Sequence, residues 1–333
     1  MPFLIHGVLI LVYLIAIILA CSLFTNAIEL LGSKLKLGNS ATGGILAVIG
    51  TTLPETVVPI VAIISAIIFQ KPAGIEIAQG AVIGSPFMLS TFALSLVGFC
   101  LLFLKRQELK VNSAVILRFY KYFLITYVIG ILMTFVHNYQ IRILVCGFLM
   151  FCYLFFIKRT IKKSKEEFLE NEIEELILNK IFCIKNVNLF FIWVQIIFSL
   201  IALVFSSHYF VKEIAIISRE LSFNSVLLSL IITPFATELP ECINSIIWTK
   251  QNKDELALAN ILGAIIFQSV IPMSIGILFT PWILNKTILL NTLFVILCSI
   301  FIILTTLIQK KLSSVIMAFC FVFYIGYIIF ILL

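Results

Sequence analysis

Gly50-Thr51-Thr52-Leu53-Pro54-Glu55 and Ala236-Thr237-Glu238-Leu239-Pro240-Glu241 are two copies of one pattern, x-T-x-L-P-E, set 186 residues apart in a chain of 333. Each places a carboxylate and a proline inside an otherwise apolar run. An ionisable side chain within a membrane span costs at least about 2.5 kcal/mol, so one that is retained marks a function by default. Here that occurs twice, in the same local setting.

Composition makes these runs membrane spans. With 62% hydrophobic residues, 12% charged residues and a mean hydropathy of +1.19, the chain carries more apolar surface than a soluble core can hide. It reads as an all-α integral membrane protein. The formal charge of +7 is then a matter of basic loops facing the cytoplasm, not of an acidic partner, and nucleic acid is excluded. Eight cysteines are scattered without a C-x-x-C, all but Cys183 in apolar runs, and read as small buried hydrophobes. The start, Met1-Pro2-Phe3, lacks a basic n-region and the run after it is too long for a signal peptide, so it reads as the first span.

Windows long enough to cross the hydrocarbon core fall at about 4–31, 42–69, 77–104, 119–136, 140–157, 189–211, 222–249, 256–279, 287–308 and 313–333. This predicts ten spans in two sets of five, residues 1–157 and 189–333, joined by a hydrophilic linker at 158–188. With the N-terminus outside, eighteen Lys and Arg face the cytoplasm and only Lys71, Arg142, Lys212, Arg219 and Lys286 stay outside. Both termini are therefore expected on the extracytoplasmic side.

An odd number of spans per half inverts the second half. The span with Glu55 then runs outward and the span with Glu241 inward, the signature of an inverted repeat whose site lies near the midplane where interrupted helices 2 and 7 meet. A second pair of matching segments supports the repeat: Gly80-Ala81-Val82-Ile83-Gly84-Ser85 against Ala259-Asn260-Ile261-Leu262-Gly263-Ala264.

A proline in a helix interior lacks the N–H that bonds to the carbonyl four residues back. Pro54 thus frees the carbonyl of Gly50 and crowds that of Thr51, and Pro240 does the same to Ala236 and Thr237. In lipid such carbonyls need a partner, and a cation is a good one. The threonines lie one turn from Glu55 and Glu241 on the same helix face, which collects carboxylate, hydroxyl and carbonyl oxygens. That set suits Ca²⁺ or Na⁺, leaves Mn²⁺ and Mg²⁺ open, and suits zinc or copper poorly. Small residues at Gly80, Gly84, Ser85, Gly263 and Ala264 would let neighbouring helices approach closely.

Two T-x-L-P-E segments, each followed by a G-N-x-x-G-S-like segment, in ten spans arranged five plus five, resemble the sodium/calcium exchanger family of the cation/calcium antiporter superfamily. The resemblance covers essentially the whole chain. It implies a secondary antiporter in which Na⁺ entry drives Ca²⁺ out by alternating access, with no enzymatic step and no cofactor beyond the transported ions. It also implies that Glu55 and Glu241 are the central metal ligands and that Thr51, Thr237 and Thr52 contribute oxygens. The family's second motif places polar ligands at positions that here are Leu89 and Gln268, while Glu238 stands where a neutral hydroxyl is usual. The first repeat has lost a polar arm, Pro86 taking the place of an asparagine, and the second has gained a carboxylate. So close a carboxylate set in low dielectric would hold at least one proton when no cation is bound. H⁺ in place of Na⁺ as counter-ion is therefore an alternative, as is a non-transporting protein that kept the fold.

Asn260 reads as an interhelical hydrogen bond, Glu29 and Glu76 as wet span ends, and His6, His137 and His208 as interfacial. The linker turns from basic (Lys158 to Lys165) to acidic (Glu166 to Glu175) with interleaved apolar residues, which predicts an amphipathic helix. No H-E-x-x-H, G-x-S-x-G or Cys/His pairing supports a membrane enzyme. The expected setting is a plasma membrane. Inorganic cations and the lipid bilayer are the expected partners, and a monomer is compatible with the sequence.

Overall fold

The apolar windows fold as helices. The computed structural model describes residues 2–69, 73–166, 175–177, 189–220 and 233–332. Among these, eight helices are long and apolar enough to cross a membrane: Ile5–Lys34, Ala78–Phe103, Ser113–Phe135, Tyr139–Glu166, Leu189–Phe210, Asp254–Phe279, Lys286–Gln309 and Ser314–Ile331. The two remaining predicted windows, 42–69 and 222–249, coincide with interrupted segments, and residues 222–232 lie outside the described residues.

In chain order the helices are α1 (Pro2–Lys34), α2 (Asn39–Ala41), α3 (Val48–Thr51), α4 (Leu53–Phe69), α5 (Ala73–Phe87), α6 (Leu94–Phe103), α7 (Ser113–Leu132) and α8 (Tyr139–Glu166). After the linker come α9 (Leu189–Glu220), α10 (Thr233–Thr237), α11 (Leu239–Lys250), α12 (Asp254–Gln268), α13 (Ile271–Phe279), α14 (Lys286–Gln309) and α15 (Ser314–Leu332). Wider π-helical turns at Thr42–Ala47 and Met88–Ala93 join α2 to α3 and α5 to α6. Such turns are rare and concentrate at functional sites.

Lipid-facing surfaces explain the apolar excess. Leu144, Phe151 and Leu154 on α8 and Phe190, Phe198 and Ile201 on α9 are exposed, whereas the interior holds Thr51, Glu55, Gln79, Glu238, Glu241 and Asn260. α1 packs along α9, with Ile17, Cys21 and Phe24 against Ile192, Ile196 and Leu203. The halves interlock beyond that pair: α12 lies against the π turn at Thr42–Ala47, and α11 lies against α6.

Two features depart from the sequence reading. The chain is not purely helical, because Glu108–Leu109 and Leu312–Ser313 form a short antiparallel pair with Glu108 opposite Ser313. It joins the loops that follow α6 and α14, where backbone groups past a helix end need partners. The fifth predicted span also does not stop at residue 157, since α8 continues to Glu166 and the basic residues Lys158 to Lys165 form its last turns. Most of the expected amphipathic linker helix lies outside the described residues. Glu175–Ile177 are described: the Ile177 N–H donates to Asn26 Oδ1 at 3.0 Å, and Leu176 is buried against α1.

Candidate functional site

Both L-P-E segments break their helices at the same residue. Thr52, between α3 and α4, has φ −81° and ψ 7°, and Glu238, between α10 and α11, has φ −84° and ψ 0°. Each lies two residues before its proline, whose missing N–H and bulky ring prevent the ladder from running straight through. The chain nonetheless re-enters helix at once: Thr56 N–H reaches Thr52 O at 3.3 Å, and Cys242 N–H reaches Glu238 O at 3.1 Å. Glu55 and Glu241 therefore fall in the first turn of a new helix, where the dipole favours negative charge. Thr51 and Thr237 end the preceding helices, where carbonyl ends favour a cation.

The broken helices cross at these points. α3 packs on α11 and α4 on α10. As a result Glu55, Glu238 and Glu241 converge, all buried, with one carboxylate oxygen from each lying within 4.8 Å of the others. Thr51 flanks Glu241 and Ser85 flanks Glu238. Gln268 Nε2 donates to Glu238 Oε1 at 2.8 Å.

The unmet chemistry of this cluster is one-sided. Both oxygens of Glu55, both of Glu241, Glu238 Oε2 and Gln268 Oε1 are buried without a hydrogen-bond donor among the described residues. At 4.8 Å two unit charges repel by about 3.5 kcal/mol even at an effective dielectric of about 20. Three ionised carboxylates would repel over three such pairs. Positive charge placed among them offsets this cost, and hard oxygen donors of this kind suit a hard cation.

The other predicted oxygens are placed as follows. Thr51 Oγ1 donates to Ala47 O at 3.2 Å, Thr52 Oγ1 to Val48 O at 2.7 Å and Thr237 Oγ1 to Pro234 O at 3.2 Å. Each hydroxyl thus spends its proton on its own helix and keeps lone pairs for another partner. Leu89 is fully buried inside the π turn Met88–Ala93, and Gln268 ends α12 four residues before Pro272. Both positions that the resemblance marks for polar ligands therefore coincide with further helix irregularities. Asn260 donates to Glu241 O at 3.1 Å and Ser245 Oγ at 3.0 Å, the interhelical role expected of it.

Some site contributors were not legible in the sequence. Ser85, read as a packing residue, stands beside Glu238. Close packing is made by Gly44 and not by Gly263 alone: a Cβ on Gly263 would lie 2.4 Å from Gly44 O. Asn244, one turn after Glu241, is buried with both amide atoms unpartnered among the described residues. Glu29 is not wet: it accepts from Trp248 Nε1 at 2.6 Å and pairs with Lys253 at 2.5 Å. His6 meets Glu213 at 2.5 Å, and His137 and His208 are exposed. The seven described cysteines are free.

A family model described as sodium/calcium exchanger protein matches residues 5–161 and 191–333. No curated protein matches the chain. Solved structures of the sodium-calcium exchanger NCX_Mj share its fold. One soaked with 10 mM Na⁺ and zero Ca²⁺ superposes with a TM-score of 0.71 at 18% identity, covering 98% of each chain. One soaked with 2.5 mM Na⁺ and 0.1 mM Ca²⁺ gives 0.72 at 17% over 97% of each chain. One soaked with zero Na⁺ and Ca²⁺ gives 0.72 at 19% over 98% of each chain.

Proposed function

The chain belongs to the sodium/calcium exchanger family, and from that premise we propose that it is a secondary active antiporter exchanging Ca²⁺, or another hard divalent cation, for Na⁺ by alternating access. The observation that carries this reading is the buried trio Glu55, Glu238 and Glu241, five of whose six carboxylate oxygens lack a donor among the described residues, Glu238 Oε1 alone accepting from Gln268. In the proposed site Glu55 and Glu241 are the central ligands and Glu238, held by Gln268, is the third carboxylate. The carbonyls of Thr51 and Thr237, the Thr52 hydroxyl and Gln268 Oε1 complete the oxygen set.

The proposed architecture is ten spans in two inverted repeats, residues 1–157 and 189–333, whose broken helices 2 and 7 meet near the midplane of a plasma membrane. Both termini face outward. Its support is the matched pair of breaks, two residues before each proline and with near-equal dihedrals. Exchange follows from competition: Ca²⁺ and Na⁺ draw on the same carboxylates, so the two ions cannot be held fully at once. Each stabilises the conformations whose ligands it gathers best. Alternating exposure then moves one ion against the other with no covalent step.

The test is isotopic Ca²⁺ uptake into Na⁺-loaded proteoliposomes. Uptake driven by the outward Na⁺ gradient is expected in the wild type and is lost in Glu55→Ala. A well-folded wild type that carries no Ca²⁺ overturns the reading. Glu238, a carboxylate where a hydroxyl is usual, favours a second reading with H⁺ as counter-ion. In that case uptake follows an imposed pH gradient, and Glu238→Ser abolishes that dependence.

A further inference from the structure

Away from the carboxylate cluster, at the end of the bundle where α6 stops and α15 begins, a cleft of about 460 Å³ is lined by Lys105, Arg106, Gln107, Gln309, Lys311, Ser313 and Ser314, with Leu102 and Val315 at its sides. No acidic residue lines it. Arg106 is engaged by the buried Asp254. Lys311 pairs at 2.7 Å with Glu108, but both side chains are about half exposed, so solvent weakens that pair. Lys105 is exposed and has no ion-pair partner among the described residues. The antiparallel pair Glu108–Leu109 with Leu312–Ser313 fastens the two loops that form the walls, so the cationic groups are presented on a built frame.

What adjoins the cleft sets its depth in the membrane. Phe103 at the end of α6 is 86% exposed and Ile308 near the end of α14 is 81% exposed, with Leu102 and Val315 also open. Side chains this apolar and this bare belong against acyl chains. The basic cleft therefore lies where lipid tails give way to headgroups, and a basic pocket between spans at that depth fits an anionic headgroup. We propose that this cleft is a binding site for an anionic phospholipid, with its phosphate between Lys105, Arg106 and Lys311 and its acyl chains along Leu102, Phe103 and Val315. A free phosphate would satisfy the lysines but not the apolar wall beside them.

The test measures phospholipid retained by protein purified in neutral detergent after incubation with phosphatidylglycerol or phosphatidylcholine. Wild type is expected to retain phosphatidylglycerol selectively. Lys105→Gln/Lys311→Gln loses that selectivity by roughly fivefold per lysine removed, while Lys162→Gln/Lys163→Gln, an equal charge loss on the exposed end of α8, does not. Lys105→Gln alone, which breaks no ion pair in the described structure, serves if the double variant folds poorly. Equal retention of the two lipids by wild type overturns the proposal, as does an equal loss in the α8 control. Displacement of the lipid by soluble glycerol phosphate at similar concentration makes the site one for free phosphate esters and also overturns it.

Discussion

Gly263→Ala tests whether the carboxylate cluster depends on backbone contact between the halves. Its Cβ would stand 2.4 Å from Gly44 O, 2.7 Å from Gly44 Cα and 2.8 Å from Gly44 C, whereas ordinary contact begins at 3.4 Å. All three neighbours are backbone, so no rotamer change relieves the overlap. The π turn Thr42–Ala47 and α12 must separate by about 1 Å, and overpacking of this kind costs about 1–3 kcal/mol. The shift reaches the site from both sides, because Gly44 lies two turns before Thr51 and α12 carries Asn260 and Gln268. A misplacement of about 1 Å at a working site costs on the order of 100-fold in rate. We expect Gly263→Ala to lower the unfolding temperature in detergent by a few degrees and Na⁺-driven Ca²⁺ uptake by about two orders of magnitude. Gly147→Ala on α8, where an added Cβ meets nothing within 4 Å, should change neither. Gly44→Ala should be milder, since its nearest clash is the movable Phe119 ring at 2.9 Å. Wild-type uptake and unfolding temperature in Gly263→Ala would refute the reasoning.

Two further predictions concern charge. Glu238→Gln keeps the side-chain volume and can still bond to Gln268, but removes one of three clustered carboxylates. Binding of Ca²⁺ measured by calorimetry should weaken at least tenfold while the fold is retained, and unchanged affinity would remove Glu238 from the ligand set. Asp254→Asn leaves Arg106, which also donates to Thr249 O at 3.2 Å, without its buried counter-charge, and weakens the 2.7 Å bond from Lys110 N–H. Breaking a buried pair costs about 3–5 kcal/mol, so its unfolding temperature should fall further than that of any variant above.

Legibility differed by kind of signal. Pro54 and Pro240 announce helix breaks because a missing N–H acts locally, and the structure places both breaks two residues upstream of them. Glu55 and Glu241 were conspicuous because a carboxylate in an apolar run stands out in composition alone. Ser85 was not, since serine is also a packing residue in membrane helices and nothing nearby in sequence distinguishes the two roles. Glu29 was misplaced for the opposite reason. Its position near a span end suggested water, but Trp248 and Lys253, more than two hundred residues away in sequence, cover it.

The chain's own letters, before any folding, determine that it lives in a membrane, where its helices break and which carboxylates are anomalous. Each of these follows from the chemistry of a residue and its near neighbours. Only the tertiary structure decides that Glu55, Glu238 and Glu241 share one cluster, that Gln268 steadies Glu238, and that Gly44 meets Gly263. Those facts depend on how two broken helices cross, and a crossing is set by side-chain packing between segments that are remote from each other along the chain.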